Sequence, residues 1–343
     1  MTGVAVGMVG AGAVATRHVR TLQAMDGVRV VAVADPAVER AHALAELAGS
    51  GSASGSRAAA YAGHLDMLER ERLDAVYVCV PPFAHGPPEL AVIDAGLPLF
   101  VEKPVAIDLE TAEAIAARLA GRQLVTCTGY HWRWLDIFDR AAGLLAANPA
   151  RLVSCAWLDK VPPPAWWGRR DGSGGQTVEQ TTHVLDLARA LVGEVTEVHA
   201  FGARSAGAEV DQVSVGSLRF AGGAVGSLAS TCLLPHLHRA GIEVVADGMW
   251  LSLSETELVV EADGERSLWR ARTDARPFPD RDFIQAVRGG PDRIRVPWPE
   301  AYRTHRLACA LTRSADEGRP VVLQAGGPGG SSLAPRSKGA TGG

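Results

Sequence analysis

Short apolar runs alternate with helical patterns over the first 129 residues, and this alternation restricts the fold more than any other feature. Five runs are apolar nearly throughout and rich in β-branched residues: VAVGMV, VRVVAVA, LDAVYVCV, LPLFVE and QLVTCT. Strands of this kind are typical of a parallel sheet that helices cover on both faces. The Gly/Ser-rich stretch 49–63 separates the second and third runs and leaves room for a degenerate strand. We therefore predict an α/β Rossmann domain over 1–129.

The pattern changes from about Arg151 onward, where strand-like runs follow one another with turn signals such as Asp247-Gly248 between them. Connections this short favour antiparallel pairing. We expect an α+β domain over 130–325 with a large, mostly antiparallel open β-sheet, one face on helices and the other free to meet a partner. The Gly/Ser/Pro-rich tail over 326–343 is predicted to be disordered.

Charge and composition narrow the possible partners. The formal net charge of -4 gives no basic surface for nucleic acid or for an anionic membrane. No apolar run is long enough to span a bilayer, and MTG at the start lacks the positive charge of a secretory leader. The five cysteines are scattered without metal-ligand spacing, and among the histidines only His236 and His238 lie close together. We predict a cytoplasmic protein without a metal site.

A glycine-rich turn follows the first predicted strand and precedes a predicted helix. Gly10, Gly12 and Ala15 form a GxGxxA pattern in the stretch GMVGAGAVATRH. In this context the first glycine permits a tight turn, the second lets the backbone approach a pyrophosphate, and the small third residue lets helix and strand pack closely. The amides of the helix N-terminus, which include those of Ala13 and Val14, then face the negative charge. The pattern predicts a dinucleotide-binding loop.

Asp35 ends the second predicted strand, where an acidic residue meets the ribose hydroxyls of the adenosine. A carboxylate at this position repels the additional phosphate of NADP, and no arginine follows it directly. The sequence therefore favours NAD over NADP.

The tripeptide Glu102-Lys103-Pro104 closes the buried run LPLFVE. Ligands of open α/β sheets bind beyond the carboxyl ends of the strands, so a lysine here projects into the binding crevice. The proline after it keeps Lys103 extended.

The glycine fingerprint, the EKP tripeptide and the antiparallel second domain occur in an order that resembles the Gfo/Idh/MocA family of oxidoreductases, over all but about the last fifteen residues. The resemblance implies that Lys103 lies beside the nicotinamide and orients or protonates the substrate oxygen, with Glu102 on the cofactor side. It also implies that Pro104 follows a cis peptide bond. The segment VPPFAHGPPELA resembles the family loop beside the nicotinamide ribose, which makes Pro81 and His85 candidate cofactor contacts.

A histidine-containing segment, GSGGQTVEQTTHVLDLARALVG, is predicted to be helical. Thr177 and Gln180 fit a capping box, and Gly193 is placed to end the helix. Its apolar stripe consists of Val184, Leu185, Ala188, Leu191 and Val192. The spacing places Glu179, His183 and Asp186 on one face, where the two acids would tune the imidazole for proton transfer. A solvated face remains the alternative on periodicity alone.

The resemblance assigns acid/base catalysis to His183, because family members carry an Asp and a His four residues apart at this point. This chain has Glu179 where relatives have Asp, which leaves the details of the relay open. We expect Glu179 to orient or tune His183.

Substrate contacts are expected in two further stretches. In GYHWRWLDIF the resemblance transfers a hydrogen-bonding role to Arg133. In PPPAWWGRRDGSGG, Trp167 is the aromatic candidate for covering a sugar ring, with packing as the alternative.

We therefore expect an NAD-dependent dehydrogenase or ketoreductase acting on a secondary alcohol of a sugar, sugar derivative or cyclitol. Two other functions remain open from the resemblance: a glycosidase that uses NAD transiently, and a non-catalytic NAD-binding regulator. The open sheet suggests a homodimer or homotetramer, by analogy of fold.

Overall fold

The computed structural model describes residues 3–50 and 57–324. The predicted disordered tail over 326–343 lies outside these residues. Two sheets organise the described chain, one of six strands and one of nine. This arrangement matches the predicted order, a Rossmann unit followed by a second sheet.

The first sheet is entirely parallel, with strand order β3-β2-β1-β4-β5-β6. Its strands are β1 (Val4–Val9), β2 (Val28–Ala34), β3 (Ala59–Tyr61), β4 (Ala75–Val78), β5 (Leu99–Val101) and β6 (Thr126–Thr128). Its helices are α1 (Ala13–Gln23), α2 (Val38–Ser50), α3 (His64–Arg70), α4 (Pro87–Asp94) and α5 (Leu109–Leu119). The degenerate strand is real but short, since β3 has three residues at the sheet edge. Strand order reverses between β1 and β4, which marks the ligand-binding crevice of such a sheet.

The second sheet has the order β14-β13-β12-β11-β7-β10-β9-β8-β15. Its strands are β7 (Leu152–Leu158), β8 (Val195–Ala203), β9 (Val213–Phe220), β10 (Val225–Thr231), β11 (Arg239–Ala246), β12 (Met249–Ser254), β13 (Glu257–Ala262), β14 (Glu265–Arg270) and β15 (Val321–Val322). Every pair is antiparallel except β7 with β10. The run MWLSLSETELVVEAD, predicted as one strand, forms two because the chain reverses at Glu255-Thr256.

Helices cover one face of the second sheet and join it to the first. The remaining helices are α6 (Asp136–Ala147), α7 (Arg170–Ser173), α8 (Gln176–Glu179), α9 (Thr182–Val192), α10 (Phe278–Val287) and α11 (Trp298–Glu317). Helix α11 packs against β8, α9 and α5, while α10 returns to pack against α1 and β6 of the Rossmann unit. No helix in the described ranges is both long and apolar enough to cross a membrane.

Candidate active site

The glycine-rich turn has the geometry that a phosphate-binding loop requires. Gly10 has φ +91°, and a Cβ there would lie 2.5 Å from the carbonyl oxygen of Cys79 at the end of β4. Its amide donates to the carbonyl oxygen of Ala34 at 2.8 Å. Only glycine fits between these two strands, so the turn from β1 into α1 depends on it.

The space above this turn is open. A Cβ on Gly12 would meet no atom within 4 Å, and Gly12, Ala13 and Val14 are exposed at the N-terminus of α1. The backbone there can approach a pyrophosphate, with the helix amides facing its charge. Ala15 is fully buried on the opposite side of the helix, as expected of the small third residue. The residues present therefore fit a dinucleotide.

Asp35 lies directly beside the glycine-rich turn. Its carboxylate accepts hydrogen bonds from the amide of Ala11 at 2.8 Å and from the amide of Ala37 at 2.9 Å. These bonds fix the end of β2 against the loop. Asp35 thus lies beside the loop at the carboxyl end of β2, while its contact with the adenosine ribose and its effect on cofactor choice remain predictions.

Lys103 is held in place by Glu179. The ammonium of Lys103 donates to Oε1 of Glu179 at 2.9 Å and to the carbonyl oxygen of the same residue at 3.0 Å. The second carboxylate oxygen of Glu179 accepts from Nε1 of Trp167 at 2.8 Å. The Lys103-Pro104 bond is cis, as the resemblance implied. Glu179 therefore orients Lys103, and both of its carboxylate oxygens are used by Lys103 and Trp167. That it orients or tunes His183 remains a prediction.

Trp167 is not a substrate contact in this geometry. Its side chain is 1% exposed and packs in a small cluster with Val210 and Cys232. The indole is committed to Glu179, so it acts on the site through that carboxylate.

The predicted histidine helix is broken into pieces. Gly174 and Gly175 have positive φ and separate α7 from α8, and two turn residues separate α8 from α9. The capping box is wrong, because Gly175 caps α8 and Gln180 bonds to Gln176 and Asp159 instead. Gly193 ends α9 as predicted. The break lets Glu179 point toward Lys103 while His183 begins a separate helix.

His183 lies in an aromatic pocket. Its ring is stacked at 5.6 Å from Trp157 and 6.0 Å from Trp132, and Tyr130 meets it edge-on at 5.8 Å. Burial lowers the pKa of His183 well below its usual 6.5, and the charge of Lys103 lowers it further. Nδ1 has no hydrogen-bond partner among the described residues. The imidazole is therefore neutral at physiological pH and able to accept a proton.

Asp186 pairs with Arg133 rather than with this imidazole. Both carboxylate oxygens of Asp186 accept from Arg133 at 2.7 Å, and Thr304 donates to one of them at 2.8 Å. Arg133 is 7% exposed and also contacts Glu300. Two predictions are wrong here: Arg133 is a buried structural cation rather than a substrate ligand, and Asp186 does not tune His183.

Two predicted cofactor contacts are also committed elsewhere. The side chain of His85 is fully buried, and its Nδ1 lies 2.6 Å from Oε1 of Glu89, so it supports the start of α4 rather than a ligand. Glu102 is 5% exposed and bonds to His18 and to the backbone of Lys103, which makes its contribution indirect. Pro81 remains partly exposed beyond β4 and stays a candidate.

Sequence reasoning missed His131. This residue lies edge-on to His183 at 5.6 Å, and its Nε2 lies 3.0 Å from Oε1 of Glu255 in the β12–β13 turn. It belongs to the stretch GYHWRWLDIF, in which the resemblance predicts a substrate contact for Arg133. Position in that stretch was the available signal, but the Glu255 partner comes from 124 residues away.

Comparison with known proteins now identifies the group to which this site belongs. Residues 4–130 match the family model described as the oxidoreductase family with an NAD-binding Rossmann fold, and residues 149–252 match the GFO/IDH/MocA C-terminal domain. The chain belongs to the GFO/IDH/MocA family. It is thus an oxidoreductase-family protein whose N-terminal unit is the NAD-binding domain.

Individual GFO/IDH/MocA members align along most of the chain. The rhizopine catabolism protein MocA of Rhizobium meliloti is 30% identical over 313 residues, covering 85% of this chain and 89% of that protein. The myo-inositol 2-dehydrogenase of Thermotoga maritima is 26% identical over 339 residues, covering 93% and 98%.

Solved structures share the fold at low identity. A levoglucosan dehydrogenase in complex with NADH and L-sorbose superposes with a TM-score of 0.81 at 19% identity, covering 94% of this chain and 100% of that one. The WlbA dehydrogenase of Bordetella pertussis, in complex with NADH and UDP-GlcNAcA, has a TM-score of 0.77 at 22% identity with the same coverage.

Proposed function

We propose that the chain is an NAD-dependent dehydrogenase or ketoreductase acting on a secondary alcohol or ketone of a sugar, sugar derivative or cyclitol. The observation that carries this proposal is the cation Lys103, held by Glu179 just beyond the carboxyl end of β5, whose charge acts on the buried neutral imidazole of His183 on α9. A cation and a neutral base are the groups that alcohol oxidation needs. Relatives named as inositol dehydrogenases support the substrate class.

The cofactor would lie against the glycine-rich turn. The exposed backbone of Gly12, Ala13 and Val14 would hold the pyrophosphate, and Asp35 would accept from the adenosine ribose and disfavour NADP. When bound, the nicotinamide supplies hydride acceptor and donor chemistry. The protein supplies alignment and proton transfer.

Proton transfer falls to His183. In the oxidation direction its neutral ring accepts the hydroxyl proton, and in reduction it returns that proton. Lys103 donates to the same substrate oxygen and stabilises the charge that develops there. Glu179 and Trp167 keep the ammonium in position.

The charges around the site favour an uncharged polar ring. Lys103 is paired with Glu179, and His131 is paired with Glu255. With Arg133 neutralised by Asp186, both cations predicted to bind substrate are already paired with carboxylates. Ring hydroxyls are ligands that such paired groups can still bind by hydrogen bonds.

NADH formation tests the proposal directly. Purified protein is incubated with NAD and a panel of cyclitols, free sugars, sugar acids, nucleotide sugars and glycosides. We expect turnover with at least one cyclitol or pyranose, lost in Lys103→Met and retained in the matched control Lys160→Met, whose lysine is exposed. Turnover that survives Lys103→Met would contradict the assignment. Glycoside cleavage without net NADH would favour the redox-assisted glycosidase.

Self-association through the open face of the second sheet is part of the proposal. Phe201, Val215 and Leu268 are at least half exposed on this face, which no helix of the described chain covers. We expect Val215→Arg to reduce the mass measured by sedimentation, and Leu65→Arg on α3 to leave it unchanged. An unchanged mass in both variants would contradict an interface here.

All five cysteines are free thiols, which supports the predicted cytoplasmic location.

A further inference from the structure

A second histidine, His18, is buried between two carboxylates, one of them Glu102 at the carboxyl end of β5. His18 lies on α1 and is 2% exposed. Its Nδ1 lies 2.7 Å from Oδ1 of Asp280, and its Nε2 lies 2.9 Å from Oε1 of Glu102. Asp280 belongs to α10, 262 residues away in sequence. One imidazole thus connects three elements: α1, the end of β5 and α10.

The pairing requires both ring nitrogens to donate. Carboxylates accept hydrogen bonds when ionised, so an imidazole between two of them carries both protons. Burial alone would lower the pKa of His18, but the charge of Asp280 and hydrogen bonds to both carboxylates raise it to about 9. Burial likewise opposes ionisation of Glu102, yet the hydrogen bond and charge of His18 lower the pKa of that carboxyl to about 2. The group is a buried ion triad.

Glu102 connects this ion triad to the backbone of Lys103. Its second oxygen, Oε2, accepts the backbone amide of Lys103 at 3.0 Å. A Cβ on Gly129 would lie 2.4 Å from Oε1, so the carboxylate is packed tightly against the glycine backbone. The remaining contact, from Arg17, is longer at 3.3 Å and comes from a side chain that is 38% exposed. The hydrogen bond from His18 is therefore the short, buried contact that holds the Glu102 side chain.

We propose that His18 is a positioning residue for Lys103: bound to Asp280 on one side, it fixes the carboxylate that anchors the Lys103 backbone. Lys103 is then restrained at both ends, by Glu102 at its amide and by Glu179 at its ammonium. The inference rests on the role proposed for Lys103. A purely structural alternative is that His18 only fills space beside Tyr77 and Phe100, whose rings lie 5.4 and 5.0 Å away.

Lysine NMR distinguishes the two roles without a substrate. The chain has three lysines, Lys103, Lys160 and Lys338, so protein labelled with ¹³C at the lysine ε-carbons gives three signals. The Lys103 signal is assigned with Lys103→Arg. In full-length protein with NADH bound, we expect His18→Gln to shift or broaden the Lys103 signal and to leave the Lys160 signal unchanged. A Lys103 signal that coincides with wild type would overturn the proposal.

A matched control separates positioning from loss of stability. His305 on α11 is equally buried and bonds through Nε2 to the carbonyl oxygen of Asp108, so His305→Gln also removes a buried imidazole. We expect it to leave the Lys103 signal in place. If His18→Gln does not fold, Asp280→Asn carries the same test, because it removes one of the two anchors. Equal shifts of Lys103 in the His305 and His18 variants would indicate a merely structural role and overturn the proposal.

Kinetics adds a second readout once a substrate is known. Misplacement of a catalytic group costs turnover more than cofactor affinity, so we expect His18→Gln to lower kcat about tenfold or more with the Kd for NADH within about threefold. A parallel loss of both would overturn the positioning role. A silent substrate panel would count against the dehydrogenase, while the NMR result would still decide the role of His18.

Discussion

His18 and His183 are both buried, yet their surroundings make His18 a cation and leave His183 neutral. His18 lies between Glu102 and Asp280, and those carboxylates raise its pKa to about 9. His183 lies among Trp132 and Trp157 near the cation Lys103, and its pKa is well below the usual value. Burial acts in the same direction on both rings, so the neighbours decide the outcome.

The difference in charge suits the two histidines to different roles, one structural and one in proton transfer. A histidine that stays protonated at physiological pH cannot accept a proton there, but it can hold two carboxylates in place. A neutral histidine beside a lysine can accept a proton without a pH change. In this chain the protonated ring is His18, which contacts Glu102 at the end of β5, and the neutral ring is His183 in the candidate active site.

The largest expected effect comes from removing the neutral ring. His183→Gln should lower kcat by about 10²- to 10⁴-fold, because a positioned base contributes that much to proton transfer. The Kd for NADH should stay near wild type, and His305→Gln should retain activity. In wild type, oxidation should lose activity to protonation of His183 only below about pH 6.5. A variant with near-normal turnover would place the base elsewhere.

Arg133 tests whether the ion pair that ties the segment 131–134 to Asp186 on α9 is structural. Arg133→Met leaves the carboxylate of Asp186 buried without its guanidinium, which should cost about 3–5 kcal/mol of the free energy of unfolding. The KM for substrate should change little. Chemical denaturation measures the loss, with Arg151→Met at an exposed ion pair as the control expected to change little. A raised KM with unchanged stability would restore Arg133 as a substrate ligand.

The charge of His18 should appear as pH-dependent stability. The folded protein keeps the His18 proton up to about pH 9, whereas the unfolded chain loses it near 6.5. The stabilisation is therefore complete below pH 6.5 and is lost as pH rises toward 9, by about 3 kcal/mol in total. Urea unfolding of wild type and His18→Gln across this range measures the difference. Parallel curves for the two proteins would show that His18 is not charged when folded.

The smallest effect is expected at the support of Lys103. Glu179→Asp shortens the carboxylate, which then cannot reach both Lys103 and the indole of Trp167. We expect about a tenfold loss of kcat, equal to about 1.4 kcal/mol. Trp167→Phe removes only the indole donor and should cost less. Steady-state kinetics with an identified substrate measures both, and wild-type rates in Glu179→Asp would contradict the role of this carboxylate.

Local sequence signals predicted the overall fold of the molecule. Apolar runs located most strands, the glycine turn fixed the start of α1, and EKP located Lys103 at a strand end. The pairings around those residues were not predictable, because the partners of His18 and Arg133 lie 262 and 53 residues away. The break before α9 was missed since helical spacing through Glu179 and His183 masked the turn between them.

Imidazole NMR of the labelled protein with NADH bound measures both charge states at once. The ten histidines are resolved by ¹⁵N–¹H correlation at pH 7.5, with His18 and His183 assigned through their glutamine variants. We predict a doubly protonated His18 and a neutral His183 in the same spectrum. A protonated His183 at this pH would contradict its role as the base that accepts the hydroxyl proton.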